Sequence, residues 1–154
     1  MKDRVRGILI KNGSIALMHR IKKINNEVLD YYVVPGGGVE NGESLEEALK
    51  REMLEEVGIG IRIYNSKDLY TLNTDTELQH FMLIEQTSGL FGTGNGEEFS
   101  RNDRGIYHME MILLNDLLNG EISLLPDEFR IFLIDLLSNF DNIDTLNSRD
   151  LLMD

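Results

Sequence analysis

The feature that most constrains the fold is a short segment with a helix-end signal at each end. Ser44 followed by Glu47 forms a capping box, which satisfies two backbone N–H groups and predicts a helix beginning at Leu45. Gly58 suits the position just beyond a helix end, where the backbone turns into a left-handed conformation. The segment therefore predicts one helix with both ends fixed, against which the rest of the chain must pack.

The predicted helix has an apolar face and an acidic face. Apolar side chains recur at helical spacing along one stripe, formed by Leu45, Leu49, Met53 and Val57. Three carboxylates at i, i+3 and i+4 share a neighbouring face, formed by Glu52, Glu55 and Glu56. Like charges at this spacing repel, and the C-terminal end of a helix disfavours anions, so the cluster needs a compensating cation.

Mg²⁺ or Mn²⁺ is the cation that these residues favour. Hard divalent ions take carboxylate and carbonyl oxygens, and the chain has no cysteine and three scattered histidines. These histidines, His19, His80 and His108, lack metal-ligand spacing, and no catalytic role is predicted for them. A solvated acidic helix face is the alternative interpretation. The glycine loop Gly36–Gly38 directly upstream favours the metal site, because glycines let backbone carbonyls approach an ion.

The complete pattern resembles the Nudix box. In that family a glycine, five residues, a glutamate and seven residues precede Arg-Glu-apolar-any-Glu-Glu-any-Gly-apolar. The chain matches at Gly37, Glu43, Arg51, Glu52, Met53, Glu55, Glu56, Gly58 and Ile59. Residues 31–37, Tyr-Tyr-Val-Val-Pro-Gly-Gly, are similar to the strand and Pro-Gly-Gly entry typical of that family. The resemblance implies a pyrophosphohydrolase that cleaves a nucleoside diphosphate linked to another moiety.

The resemblance also implies roles for individual residues. The metal ligands are expected to be Glu52, Glu55, Glu56 and the Gly36 carbonyl, with Glu98 as a further candidate. Arg51 is expected to pair with Glu43 and so fix the geometry of the carboxylates, because metal ligands need outer contacts that orient them. The general base is Glu52 in some family members and a loop glutamate in others, which leaves Glu52, Glu97 and Glu98 open.

Candidate substrate contacts are cationic and aromatic side chains. Guanidinium groups match phosphate oxygens, which favours Arg20 first and Arg6 second. Tyr32 is a candidate for stacking on a base, and Glu97 for a contact from the loop that follows the sheet.

Hydrophobic periodicity and turn residues predict a mixed α/β fold. Two strands, residues 4–11 and 14–20, surround the hairpin signal Asn12-Gly13. Further strands are predicted at residues 30–34, 61–72, 77–87 and 105–114, a short helix at 113–118, and a closing helix from Pro126 to about Phe140. Strands on both sides of one helix, with a closing helix, predict an α/β/α sandwich with a mixed sheet, which the resemblance also implies. Residues 1–140 are expected to form a single Nudix hydrolase domain, followed by an acidic tail, 141–154, that frays.

The net charge and the composition limit the classes of molecule that the protein is expected to bind. With 27 acidic and 15 basic residues the net charge is −12, which disfavours polymeric nucleic acid and an anionic membrane surface. A small phosphorylated nucleotide stays compatible, since a bound divalent ion reverses the local field. The N-terminal apolar stretch is interrupted at Lys11, and the chain has no cysteine, so a cytoplasmic protein is expected. The resemblance also allows a homodimer.

Two functional classes fit these observations. A metal-dependent hydrolase is the leading interpretation, and a Nudix-like nucleotide sensor without hydrolysis is the alternative. Such sensors tend to lose box acids or to carry an added DNA-binding domain, and neither change is seen here. ADP-ribose hydrolases tend to carry a proline shortly after the box, whereas the only later proline is Pro126. Nucleoside triphosphates, including oxidised ones, are therefore the expected substrates.

Overall fold

The computed structural model describes residues 1–65, 67–94 and 105–152. In these residues the strands are β1 (Lys2–Lys11), β2 (Ser14–Ile24), β3 (Glu27–Val33), β4 (Gly36–Gly38), β5 (Ile59–Ile63), β6 (Tyr70–Asn73), β7 (Glu77–Gly89), β8 (Ile106–Leu113) and β9 (Leu124–Leu125). The helices are α1 (Leu45–Glu56), α2 (Leu114–Leu118), α3 (Asp127–Leu137) and a 3₁₀ turn, Ser148–Leu151. No helix in the described residues is long and apolar enough to cross a membrane.

The strands form a mixed sheet with helices on both faces. The strand order is β5-β7-β1-β2-β3-β9, with β4 paired to β1, β6 to β7 and β8 to β2. Strand β1 runs parallel to β7, whereas β1 and β2 form an antiparallel hairpin. Helix α1 packs on one face through Ala48, Leu49 and Met53, and α3 packs on the other through Phe129 and Leu133. This arrangement confirms the predicted α/β/α sandwich.

Strands β1 and β2 diverge soon after their shared turn. Their pairing is limited to Ile10 with Ile15 and Lys11 with Ser14. Beyond that point β1 pairs with β4 and β7, whereas β2 pairs with β3 and β8. The divergence opens a wedge in the sheet, and the α1 glutamates lie beside it.

Helix α1 begins and ends as its local sequence predicts. The Glu47 backbone N–H donates to Ser44 Oγ at 3.1 Å, and the Ser44 N–H donates to Glu47 Oε1 at 2.9 Å. Gly58, with φ of +85°, follows the helix and allows the left-handed turn into β5. Leu49, Met53 and Val57 of the apolar stripe are buried and Leu45 is partly buried, so the glutamate face is left toward the wedge.

Three expectations about element boundaries were wrong. The strands predicted at residues 14–20 and 30–34 extend further toward each other than those bounds, because β2 and β3 continue to a tight turn at Asn25 and Asn26, both with positive φ. The strand predicted at residues 61–72 is two strands, β5 and β6, with a left-handed residue, Asn65, between them. Of the segment expected to fray, 141–154, the described residues 141–152 instead pack on the sheet, with Ile143, Leu146 and Leu151 buried in the α3-side core.

The C-terminal segment also completes the hydrogen bonding of β1. The Ile10 backbone N–H donates to the buried Ser148 Oγ at 2.7 Å, and Ser148 Oγ donates to the Ile8 carbonyl at 3.2 Å. The Gly13 N–H donates to the Leu146 carbonyl at 2.8 Å. Because the pairing of β1 with β7 ends at Leu9, Ser148 satisfies a backbone N–H of Ile10 that would otherwise be buried without an acceptor.

Candidate active site

A cleft of about 650 Å³ occupies the wedge between β1 and β2. We call it the glutamate cleft. Its acidic wall comes from α1, its loop wall is β4 (Gly36–Gly38), and its basic wall comes from β1 and β2. The structure brings seven of the predicted site residues to this cleft: Gly36, Arg51, Glu52, Glu55, Glu56, Arg6 and Arg20. Glu43 contacts the cleft indirectly, through Arg51.

The loop wall requires glycine for two steric reasons. A Cβ at Gly36 would lie 1.9 Å from the Val5 carbonyl oxygen of β1, so only glycine lets β4 pair so closely with β1. A Cβ at Gly37 would lie 2.4 Å from Glu52 Oε1. The Glu52 carboxylate therefore rests directly against the backbone of the loop, in space that any side chain would fill.

Arg51 fastens the acidic wall to the loop. Its Nε donates to Glu43 Oε2 at 2.7 Å and its Nη2 donates to Glu43 Oε1 at 3.0 Å, which is the predicted pair in bidentate form. Nη2 also donates to the Gly38 carbonyl at 3.1 Å. Nη1 donates to Glu52 Oε1 at 3.0 Å and to Glu55 Oε2 at 3.4 Å. One guanidinium thus orients two carboxylates of the cleft and joins α1 to β4.

The charges around Arg51 shift the pKa values of this network. The hydrogen bond from Arg51, followed by that from the Glu40 backbone, lowers the pKa of the Glu43 carboxyl. The same bond to Glu43 raises the pKa of Arg51, so the guanidinium stays charged. Both partners therefore remain ionised at neutral pH.

The acidic wall offers a donor set that suits a hard divalent cation. Glu52 is nearly buried at 9% exposure, whereas the Glu55 side chain is half exposed, and Glu56 also lines the cleft. Carboxylate oxygens beside glycine backbone carbonyls are the ligands that Mg²⁺ and Mn²⁺ prefer. The absence of a side chain at Gly37 lets the Glu52 carboxylate lie against the loop backbone, and this set of oxygen donors fits such an ion.

The basic wall holds four cationic side chains, Lys2, Arg4, Arg6 and Arg20. Arg6 is fixed by hydrogen bonds from Nη1 to the Val34 carbonyl at 3.1 Å and from Nε to Gln79 Oε1 at 3.3 Å. Burial, and then the charge of Arg4, lower the pKa of Arg6 to about 10. The wall therefore concentrates positive charge within a strongly acidic protein, in the same cleft as the three carboxylates.

Arg20 lies between two tyrosine rings on the floor of the cleft. Its guanidinium carbon is 4.3 Å from the centroid of the Tyr107 ring and 5.6 Å from that of Tyr31, in cation–π geometry. Its Nη2 donates to the Tyr107 hydroxyl. Within the described residues, Arg20 Nε is a buried donor that has no hydrogen-bond partner. An acceptor from a bound molecule would satisfy this donor.

The remaining predicted residues lie elsewhere. Tyr32 projects from the other face of β3 and stacks on His19, with ring centroids 4.2 Å apart, so the structure does not bring it to the cleft. Glu97 and Glu98 lie outside the described residues. Sequence reasoning missed Tyr31 and Tyr107, which the strand register places beside Arg20 on β3 and β8. The adjacent pair Tyr31-Tyr32 was visible in the sequence, but the sequence does not show which face of the sheet each ring occupies.

Comparison with known proteins agrees with the fold and with the box. A family model described as the NUDIX domain matches residues 1–127. The chain therefore belongs to the Nudix family. A crystal structure of a NUDIX-family hydrolase from Clostridium perfringens superposes with a TM-score of 0.64 at 17% identity, covering 91% of this chain and 98% of that one. At this identity the likeness concerns the fold.

Two curated relatives match shorter segments. An ADP-ribose pyrophosphatase from Methanocaldococcus jannaschii is 39% identical over 67 residues, which is 44% of this chain and 38% of the relative. An 8-oxo-dGTP diphosphatase from Buchnera aphidicola subsp. Schizaphis graminum is 46% identical over 55 residues, which is 36% of this chain and 41% of the relative. The matched segments thus span about two fifths of each of these relatives.

Proposed function

We propose that the protein is a divalent-metal-dependent pyrophosphohydrolase whose substrate is a nucleoside triphosphate or a related nucleotide. The observation that supports this proposal is that the glutamate cleft has both an acidic wall and a basic wall. Three α1 carboxylates and a glycine loop line the same cleft as four cationic side chains from β1 and β2. An acidic wall alone would repel a phosphate chain, and a basic wall alone would bind it without activating water.

The carboxylates are the proposed metal ligands. Glu52, Glu55 and Glu56 would hold Mg²⁺ or Mn²⁺ together with the Gly36 carbonyl, with Glu98 as a further candidate. A bound divalent ion would neutralise diphosphate oxygens and lower the pKa of the attacking water. Arg51 acts on the ligands, since it contacts both Glu52 and Glu55 and is itself fixed by Glu43. This network sets the positions of the carboxylates before substrate arrives.

The basic wall is the proposed binding surface for the phosphates. Lys2 and Arg4 reach the cleft from β1, and Arg20 contributes its buried Nε, which has no hydrogen-bond partner in the described part of the chain. Arg6 already bonds to Val34 and Gln79, so its part is to fix the wall and to add charge. Tyr107 and Tyr31 hold the Arg20 plane in place.

The names of both curated relatives are compatible with this proposal. One is named a pyrophosphatase and the other a diphosphatase, each for a nucleotide with linked phosphates. The absence of a proline shortly after the box favours a nucleoside triphosphate over ADP-ribose for this chain. The proposed general base is Glu52, Glu97 or Glu98, and separate glutamine variants at these positions distinguish them.

The test is a substrate panel assayed with Mg²⁺ or Mn²⁺. Nucleoside triphosphates, their oxidised forms, ADP-ribose and other diphosphate-linked nucleotides are incubated with protein, and release of phosphate or pyrophosphate is followed. Hydrolysis in ¹⁸O-water locates the phosphorus that is attacked. We expect nucleotide and pyrophosphate as products with the best substrate.

Matched variants connect any activity to the cleft. Glu56→Gln removes one proposed ligand and is expected to lower turnover by at least about 100-fold, because each metal ligand contributes several kcal/mol to catalysis. Glu46→Gln makes the same chemical change on an exposed position of α1 outside the cleft and is expected to have no effect. Nucleotide binding without hydrolysis across the panel, or full activity in Glu56→Gln, would refute the proposal.

A further inference from the structure

A second cluster of ionisable side chains lies on the other face of the sheet from Arg20. We call it the distal cluster, and it consists of His19, Asp30, Tyr32, His108 and Glu110. The register places His19 of β2 directly between Tyr32 of β3 and His108 of β8. Glu110 lies two residues beyond His108, so its side chain projects from the same face. Sequence separations of up to 91 residues hide this convergence from any motif search.

The distal cluster is separate from the glutamate cleft. His19 shares the face of β2 that carries Ile15 and Leu17, which pack in the α3-side core. Arg20, the next residue, projects from the opposite face and lines the cleft. None of the five members of the cluster is among the residues that line the glutamate cleft.

The ligand atoms of the cluster are already gathered. His19 Nδ1 and His108 Nε2 each lie 2.6 Å from Glu110 Oε2. The potential metal-binding atoms of these three residues all lie within 4.8 Å of one another. His19 is mostly buried, whereas Glu110 and His108 are 31% and 47% exposed, so the group is open to solvent on one side.

The two nitrogens of the His19 ring indicate how an ion would be held. Nδ1 faces Glu110, and Nε2 lies 2.5 Å from Asp30 Oδ1. A neutral imidazole has a single N–H, so it can donate to only one of these carboxylates. If Nε2–H donates to Asp30, Nδ1 presents a lone pair toward His108 and Glu110. A metal-bound histidine whose other nitrogen donates to a carboxylate is the usual arrangement in protein metal sites.

Neighbouring contacts orient the ligands further. The Tyr32 ring stacks on the His19 ring at 4.2 Å with an interplanar angle of 12°. The Tyr32 hydroxyl lies 3.5 Å from Glu110 Oε1, the carboxylate oxygen not shared by the histidines. Each of these two ligands therefore has a second contact that restricts its rotation.

We propose that the distal cluster binds one zinc-class divalent transition-metal ion through His19 Nδ1, His108 Nε2 and the Glu110 carboxylate. Two imidazoles and one carboxylate favour such ions over Mg²⁺, which prefers oxygen ligands. Bonds of about 2.0–2.1 Å in a tetrahedral site separate ligand atoms by about 3.3 Å. The two contacts to Glu110 therefore have to lengthen by about 0.7 Å, and the two imidazole nitrogens, which lie within 4.8 Å of each other, have to come to about 3.3 Å apart. Asp30 is a positioning residue, and the fourth position faces solvent.

The site has a structural consequence for the cleft. Ion binding would tie β2 to β8, and β8 carries Tyr107, which holds Arg20 on the other face. The bound ion would therefore stabilise the strand pair beneath the cleft, without contact with the substrate.

The probe is Zn²⁺, titrated into the full chain in the presence of excess Mg²⁺, which competes at the carboxylate cleft and not at imidazoles. Calorimetry measures stoichiometry and affinity. Histidine ring NMR identifies the ligands, and His80, the third histidine, is the internal control. We expect one equivalent of Zn²⁺ to shift the ring signals of His19 and His108 and to leave His80 unchanged.

Variants separate this site from the glutamate cleft. His108→Ala is expected to weaken Zn²⁺ binding by at least about 100-fold and Asp30→Asn by about 10- to 100-fold. Glu55→Gln, in the cleft, should leave this binding unchanged. His108 is exposed, so His108→Gln, with its fold checked by circular dichroism, provides a second ligand variant. Zn²⁺ binding lost in Glu55→Gln but kept in His108→Ala, or His19 and His108 signals that do not respond to Zn²⁺, would overturn the proposal.

Discussion

Replacing Gly37 with alanine should lower turnover strongly while changing the free energy of unfolding only slightly. The new Cβ would lie 2.4 Å from Glu52 Oε1, whereas ordinary contact begins at 3.4 Å, so the Glu52 carboxylate must move by about 1.0 Å. That movement disturbs the 3.0 Å bond to Arg51 Nη1 and shifts a proposed metal ligand. The loop backbone itself has no strained φ at Gly37 to penalise alanine.

The magnitude follows from these distances. A misplacement of about 1 Å in a catalytic site can cost about 100-fold in rate, which corresponds to about 2.7 kcal/mol of transition-state stabilisation. Stability should change by less than about 1 kcal/mol. The displaced atoms are the end of a flexible side chain, and alanine also reduces the entropy of the unfolded chain.

The assay compares turnover and the free energy of unfolding for two neighbouring variants. Gly38→Ala is the matched control, because its Cβ would meet the end of the flexible Lys2 side chain at 2.8 Å and no carboxylate. We expect Gly38→Ala to lose less than about tenfold in turnover, since a lysine stem readily adopts another rotamer. Wild-type turnover in Gly37→Ala, or a loss that merely follows unfolding of the protein, would refute the steric reasoning about Glu52.

Three further predictions concern stability. Ser44→Ala should cost about 1 kcal/mol in urea unfolding with turnover per folded molecule retained, because it removes the N-cap of α1; a large loss of turnover would contradict this role. Ser148→Ala leaves the buried Ile10 N–H without its acceptor and should cost about 1–3 kcal/mol, with faster amide hydrogen exchange at Ile10; unchanged exchange there would contradict the contact. Burial lowers the pKa of His80, but hydrogen bonds with Asp3 and Asp68 outweigh burial and raise the pKa above 6.5. The resulting stabilisation is fully present below about pH 6.5 and is lost as the pH rises through the folded pKa of His80. The free energy of unfolding then falls by at most about 1.4 kcal/mol per pH unit. Urea unfolding between pH 5 and about pH 8 measures it, and an equally steep decline in Asp68→Asn would count against this pair.

The parts of the structure that local sequence determines were predictable. Helix α1 carries its start in Ser44 and Glu47 and its end in Gly58, so both boundaries follow from contacts within a few residues. The first hairpin likewise follows from Asn12-Gly13, which takes the left-handed conformations that such a turn needs. The carboxylate face of α1 follows from helical spacing alone.

The parts that depend on strand register were not predictable from one sequence. The outer halves of β2 and β3 mix charged and apolar residues on half-buried and exposed positions, so they lack the alternation that marks a half-buried strand. The facing of Tyr31 and Tyr32 changes with a slip of one residue in register. The meeting of His19 with His108 requires β2 and β8 to be paired, and no local signal specifies that pairing.

The bond between Ser148 and β1 has a consequence for folding during synthesis. Ile10 and Ser148 are 138 positions apart, so the ribosome makes the donor long before it makes the acceptor. A nascent chain that has emerged only as far as α3 has the box and its glycine loop, but the Ile10 N–H near the end of its first strand still lacks the Ser148 acceptor. We expect such an intermediate to be more sensitive to proteases near Ile10 than the finished protein, until residues 143–151 emerge and pack against this end of β1.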